Sequence, residues 1–589
     1  MKRSEVKKEL TWDLRDLVTD EQDFYQKLDQ SVAKAKAIHD KYKGQIKTLD
    51  DLNALTKDMN DYLVSLQKPM NFASLFYSED GTNEKAMEYY NVLSQKEQLL
   101  QSYLTFVDEE VMNLDDAILK EAEETCKHAT VYFRQIRKKK AHKPEYAVME
   151  ALAKLSPVLQ APYRIYEASK AADMRFGSFE VDGKELPMTF GLYEDRYEND
   201  SNTELRRKAY RVFHDKLEEY SYTLAENFNA EMKRQKALSE IHGYDSVFDY
   251  LLDEQEVSRE IFEHHIDTLQ KELPQHMRAY ARKIKEKYQL DRLTYADLKI
   301  PLMPEFEKEI TIEESKEYLR KGLAILGDEY VERTLRAIDE RWIDFAENEG
   351  KSTGAFCASP YGVHPYVLIS WTGKMNEVFV LAHELGHGGH FTMAYENNSI
   401  LNGDVSLYLV ECPSTTNEML LANYLIESSD DPEMKRWVYT QLIERTYYHN
   451  FVTHGIEAIF QREVLRRIDR HESVNAPILN EIFLNILKDF WGDEVELTKG
   501  AELTWMRQPH YFVGLYSYTY QAGLSIGTEI FRRIQKGDKD IINTYKEVLS
   551  SGGLYEPEKW AVALGVQIDK GQALKNTIDF IGKIVASIE

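Results

Sequence analysis

Two histidines four residues apart, His383 and His387, stand inside a largely apolar stretch, NEVFVLAHELGHGGHF (Asn376 to Phe391). The stretch reads as a helix, where residues i and i+4 leave the same face one turn apart, so both imidazoles can reach one cation at about 2.0 Å. Glu384, next to the first histidine, then falls beside the cation's open position without ligating it. Gly386, Gly388 and Gly389 occupy the same turns, and each weakens a helix by about 1 kcal/mol relative to alanine. A helix with that much local penalty is expected to be approached closely by a strand, another helix or a ligand. His390 extends the pattern, but the longer zinc signature requires glycine at 390 and histidine at 393, where the chain has His390 and Met393. His390 is therefore expected to pack or to support a ligand, and the third ligand must lie elsewhere.

Zinc hydrolases with two histidine ligands commonly complete the site with a carboxylate and leave the fourth position to water. Downstream, LYLVECPSTTNEML (Leu407 to Leu420) offers Glu411 and Glu418, 24 and 31 residues after His387. The seven residues between them are two helical turns, so on one helix both carboxylates share a face. One would bind the metal and the other would orient a ligand histidine through its free ring nitrogen. Spacing alone leaves open which does which. Pro413 favours the first turn of a helix and could leave Glu411 just outside it.

The rest of the chain is large enough to enclose such a centre. At 589 residues it exceeds what one core usually supports, so two or more lobes with a cleft between them are expected. A 43% apolar and 12% aromatic content suits a globular protein. Seventy-four basic against one hundred acidic residues give a formal charge of −26, which repels phosphate backbones and anionic lipid; nucleic acid and membrane are poor partners. The amino-terminal residues Met1 to Asp20 lack the apolar core of a secretory signal, and no segment approaches a membrane span. Three widely spaced cysteines (Cys126, Cys357, Cys412) make a disulfide framework improbable, and these features together suggest a cytoplasmic protein.

Helical patterning dominates. Leu205, Ala209, Phe213, Leu217, Tyr220, Leu224 and Phe228 step by three and four, the stripe of one buried helix face. Ser201 with Glu204 reads as a capping box at its start, and Gly243 as its stop. Strand signals are confined to FGSFEVDGKEL (Phe176 to Leu186), with the Asp-Gly pair of a tight hairpin, and to GAFCASPYGVHPYVLISWTG (Gly354 to Gly373), just before the histidine segment. Cys357 in the second stretch is expected to be an inert packed thiol. An acidic run, Tyr193 to Glu204, suggests a division of the chain near residue 200.

HELGHGGH followed by VECPSTTNE resembles the thimet-oligopeptidase-like gluzincins, peptidase family M3, and within it the oligoendopeptidase F branch. WDLRDL (Trp12 to Leu17), HGYDS (His242 to Ser246), FTMAYEN (Phe391 to Asn397) and WMRQPHYFVGLYSYTYQAG (Trp505 to Gly523) carry the likeness over nearly the whole chain. The resemblance implies a zinc metalloendopeptidase that cuts internal bonds of short unstructured oligopeptides inside an enclosed channel. It places Glu411 as the third zinc ligand beside His383 and His387, with Glu418 behind it, and Glu384 as the general base. Donors of the late segment, His510 and its tyrosines, would face the substrate and hold the oxyanion. Tyr516 and Tyr520 are i,i+4 and would share a helix face, with Tyr518 turned away. The expected fold is mainly α and two-lobed, with a small β-sheet beside the zinc helix and a deep substrate cleft. Residues 1–200 would form an amino-terminal helical lobe with a hairpin, and 201–589 the catalytic domain. A zinc carboxypeptidase, a peptide binder with a dead site and a structural zinc protein are the competing readings; Glu384 beside both histidines argues against the second.

Overall fold

The computed structural model describes residues 2–304, 309–352, 354–472 and 474–588. Helices dominate it, and the strands form one hairpin and one three-stranded sheet. The longest helix, Thr203–Ile241, buries the predicted stripe, including Ala209, Phe213, Leu217, Leu224 and Phe228. Its start differs from expectation by one residue: Asn202, not Ser201, is the cap, accepting from the backbone N–H groups of Glu204 (3.0 Å) and Leu205 (3.1 Å). Asparagine serves as well as serine here because its short side-chain oxygen reaches the same unpaired donors. The helix stops at the expected glycine. Gly243 adopts φ 73°, and the next amide, Tyr244 N–H, returns to the Ser239 carbonyl at 3.0 Å, closing the helix as a left-handed glycine end does.

The hairpin pairs β1 (Ser178–Val181) with β2 (Lys184–Pro187), and Asp182 and Gly183 both take positive φ at its tip, the turn an Asp-Gly pair favours. Phe179 and Val181 of β1 belong to the same buried apolar cluster as Phe213 and Leu217 of the long helix. That cluster runs from Tyr166 to Ile588, whereas helices Glu21–Tyr42, Leu49–Glu79 and Glu84–Met112 contribute to a separate core.

The three-stranded sheet lies in the order β3 (Ile343–Asp344), β5 (Tyr366–Leu368), β4 (Phe356–Ala358), with β3 parallel and β4 antiparallel to β5. All three residues of β5 are buried, as a short apolar run at a sheet centre requires. The amino-terminal WDLRDL stretch clamps this sheet: Trp12, Leu14 and Leu17 share a core with Tyr366 and Leu368, and the Asp13 amide donates to the Arg341 carbonyl at 2.7 Å. The first and middle parts of the chain thus meet under the histidine segment. No helix among the described residues is long and apolar enough to cross a membrane, and Cys126, Cys357 and Cys412 are free thiols.

Candidate active site

Three helices converge on one point: the histidine helix Met375–Asn397, the glutamate helix Glu411–Glu427 and the tyrosine helix Ser517–Gln535. Glycine permits the approach. A Cβ at Gly386 would sit 2.6 Å from the Pro413 carbonyl oxygen, and one at Gly523 would sit 2.7 Å from the Cys412 amide nitrogen. Both distances are far inside contact, so the glutamate helix is gripped on two sides at the turn that carries Glu411. Gly388 faces Pro365 at the head of β5, and Gly389 lies against the ring of Tyr330. The local cost of these glycines in a helix is the condition for that packing.

Pro413 sits in the first turn and Glu411 is the first residue of its helix, so both carboxylates, Glu411 and Glu418, belong to one helix. Glu411 Oε2 lies 3.3 Å from Nε2 of His383 and 3.4 Å from Nε2 of His387. Ligands on a tetrahedral ion with bonds of about 2.05 Å are themselves about 3.3 Å apart, so this spacing, with two imidazoles and a carboxylate as donors, fits zinc. Side-chain exposures of 19% for His383 and 12% for His387 against 3% for Glu411 leave the histidine side the more accessible. Burial opposes the charge of Glu411, but His387 and His383 more than offset it and hold its carboxyl well below the usual range. Glu384 is 6% exposed, and burial pushes its carboxyl up while the two histidines pull it back only in part. A carboxylate raised in this way is suited to taking a proton.

Glu418 stands behind His383. Its Oε1 is 2.7 Å from His383 Nδ1, and its Oε2 accepts from the Thr446 hydroxyl at 2.5 Å. That contact directs Nε2 of His383 toward Glu411. Thr446 lies in a π-helical stretch, Leu442–Thr453, a wider winding often found at functional sites. His390 is not part of the ligand set. It is fully buried with neither ring nitrogen partnered among the described residues, and burial drives it to about 3, a neutral packed ring. Burial and the nearby Glu384 push the Cys357 thiol to about 12, so it stays protonated and inert.

The late segment runs through two short 3-10 turns, Ala501–Arg507 and Pro509–Phe512, into the tyrosine helix. Tyr516 is the residue capping that helix, and its hydroxyl donates to Glu411 Oε1 at 2.6 Å. Its ring lies 5.2 Å from that of Tyr520, so the two share a face. The Tyr520 hydroxyl is 3.4 Å from Nε2 of His510. Tyr518 points the other way and donates to Gln255 at 2.6 Å. The structure therefore gathers His383, His387, Glu411, Glu384, Tyr516, Tyr520 and His510 around one site. Sequence reasoning passed over Thr446, His449, His454 and Glu457, which stand directly behind them. The only signal was a His-x-x-Glu pair, one helical turn apart, His454 and Glu457.

Residues 196–580 match the family model described as peptidase family M3, and residues 110–176 match one described as Oligopeptidase F. The chain belongs to peptidase family M3. As a member of that family it is a metallopeptidase. It is 27% identical to Oligopeptidase PepF of Bacillus subtilis over 94% of this chain and 83% of that one. It is 24% identical to an Oligoendopeptidase F homolog of Borreliella burgdorferi over 98% and 97% of the two chains. Its fold is that of the crystal structure of oligoendopeptidase-F from Enterococcus faecium, with a TM-score of 0.74 at 18% identity over 96% of this chain and 98% of that one.

Proposed function

We propose that this M3 peptidase is a zinc endopeptidase that hydrolyses internal bonds of short, unstructured oligopeptides. The observation that carries the reading is the spacing of His383, His387 and Glu411, which suits one tetrahedral ion with an open side. His383, His387 and Glu411 would hold the zinc. Bound there, zinc would make a water acidic and polarise the scissile carbonyl.

The chain's own groups supply the rest. Glu384 accepts the proton of the attacking water and passes it to the leaving amine, which its raised affinity for a proton favours. Glu418 keeps His383 turned toward the ligand position. His510, Tyr516 and Tyr520 would supply donors to the oxyanion, a role that their grouping beside Glu411 supports. In the structure the Tyr516 hydroxyl is engaged by Glu411, so it must release that carboxylate to act on the substrate. β4 pairs only with β5 among the described residues, and an extended peptide could add to its free edge by backbone hydrogen bonds, which would read length and extension more than side chains. Residues 1–200 as an amino-terminal lobe and 201–589 as the catalytic domain, with the cleft between them, would limit entry to flexible peptides. The same reading places the enzyme in the cytoplasm.

The test is metal content together with cleavage of a blocked, internally quenched peptide of about ten residues, before and after chelation and after zinc is returned. One zinc per chain, internal cleavage and restoration by zinc are expected. Cleavage that survives complete metal removal, or release of terminal residues only, would overturn the reading.

A further inference from the structure

A second group of two histidines and a glutamate, His454, Glu457 and His510, lies one aromatic ring away from the metal site. Glu457 is 2% exposed. Its Oε2 is 2.8 Å from Nδ1 of His454, 3.3 Å from Nδ1 of His510 and 3.2 Å from the Ser517 hydroxyl. Burial works to neutralise this carboxyl, but His454 and then His510 outweigh it and hold it at about 2. An ionised carboxylate can only accept, so each ring presents a proton on Nδ1 to it. His510 must then turn Nε2 outward, where the Tyr520 hydroxyl meets it at 3.4 Å.

The anchor itself is held from behind. Nε2 of His454 lies 3.0 Å from Nε2 of His449, and the His454 ring stacks on Tyr520 at 4.0 Å and 15°. The other oxygen of Glu457 has no protein partner among the described residues. Glu457 borders a pocket of about 60 Å³ that Lys299, Tyr448, Trp491 and Arg507 also line, polar and roomy enough for water. One oxygen thus gathers three protein donors while the carboxylate as a whole borders a pocket with room for water.

We propose that Glu457 is a positioning residue of the peptidase reaction: by holding Nδ1 of His510 it aims Nε2 at the substrate side of the metal site. The inference rests on His510 acting on the substrate as proposed above. When His510 donates from Nε2 to a developing oxyanion, it carries protons on both nitrogens, and the adjoining carboxylate is the counter-charge which that form requires.

Glu457→Gln keeps the shape and removes the charge. It is expected to lower kcat by about 10–100-fold, the range for partners behind an active group, with zinc content and KM little changed. In protein labelled with ¹⁵N histidine, the Nδ1 signal of His510 should shift as its ionised acceptor is replaced by a neutral amide. In a His510→Ala background the same substitution should cause no further loss of kcat. If Glu457→Gln does not fold, Glu457→Asp is put through the same pair of backgrounds. Wild-type kcat for the Glu457 variant beside a crippled His510→Ala enzyme overturns this proposal alone, as does an equal loss in both backgrounds, the mark of a merely structural role. Wild-type kcat for His510→Ala removes the oxyanion reading first and this proposal with it.

Discussion

Among the described residues, two clusters share one composition, two histidines and a glutamate, on either side of Tyr516 and Tyr520, and they differ in how they are built. In the first, two Nε2 atoms face a single Glu411 oxygen at 3.3 and 3.4 Å, and the histidines remain partly open to solvent. In the second, Nδ1 of His454 approaches Glu457 at 2.8 Å, too close for an ion between them. The same carboxylate oxygen already collects two further donors, and His454 is 1% exposed. Residue type does not separate a metal site from a hydrogen-bonded one. What separates them is which ring nitrogen faces in, how far apart the donors stand and whether one side is left open.

The largest expected effect belongs to the open side of the first cluster. Glu384→Gln should lower kcat by about 10²–10⁴-fold, the span of general-base contributions, with zinc and fold retained. Substantial turnover by a zinc-replete Glu384→Gln enzyme would leave Glu384 an orienting role at most. Metal affinity sharpens the contrast next. Glu411→Ala should weaken zinc binding by well over the roughly 100-fold upper range of outer partners, and Glu418→Ala by about 10–100-fold. His454→Gln should leave one zinc per chain with unchanged affinity. Competition against a chelator of known affinity measures all three, and a second equivalent of zinc that disappears in His454→Gln would break the comparison.

Between the clusters, Tyr516→Phe, Tyr520→Phe and His510→Ala should each lower kcat by about 10²–10³-fold, as removal of one oxyanion donor does, with little change in zinc content. The loss should fall on kcat because such contacts strengthen only as charge develops on the carbonyl oxygen. If all three variants keep wild-type kcat, the segment from Trp505 to Gly523 is structural.

Much of this site was legible because its parts are local. His383 and His387 need only one helix to meet, and Glu411 and Glu418 need only another, so spacing revealed both pairs. The long helix was readable from its apolar stripe, and its stop from Gly243, while the start moved from Ser201 to Asn202 because several short polar side chains in a row can each serve as the cap. The Asp-Gly hairpin and the run Gly354 to Gly373, which carries β4 and β5, were likewise local. Thr446 and Glu457 were not. Each gains its meaning only when the π-helical stretch Leu442–Thr453, the helix His454–Asp469 and the turns before the tyrosine helix come together, and no period in the sequence records that meeting. Glu457 in an acidic chain reads as one surface carboxylate among many, until burial and two imidazoles mark it out.

The smallest effect is the control that decides whether facing, rather than aromatic content, matters in the late segment. Tyr518 stands between the two site tyrosines in sequence, yet it is 1% exposed, and its ring packs against Phe262 and Tyr408 with centroids 4.9 and 5.8 Å away. Its hydroxyl donates to Gln255 Oε1 at 2.6 Å, and Gln255 in turn donates to the Leu515 carbonyl at 2.8 Å. Tyr518→Phe keeps the ring in the core and leaves a buried amide oxygen without its donor, a loss of about 1–3 kcal/mol in stability. kcat should stay within about twofold, because stability lost away from the reacting atoms does not alter an interaction made only in the transition state. Urea unfolding and peptide cleavage on the same preparation separate the two quantities. A kcat loss for Tyr518→Phe comparable to that of Tyr516→Phe, at unchanged stability, would mean that the hydroxyl reaches the substrate and that the two faces of the helix are not divided as the contacts indicate.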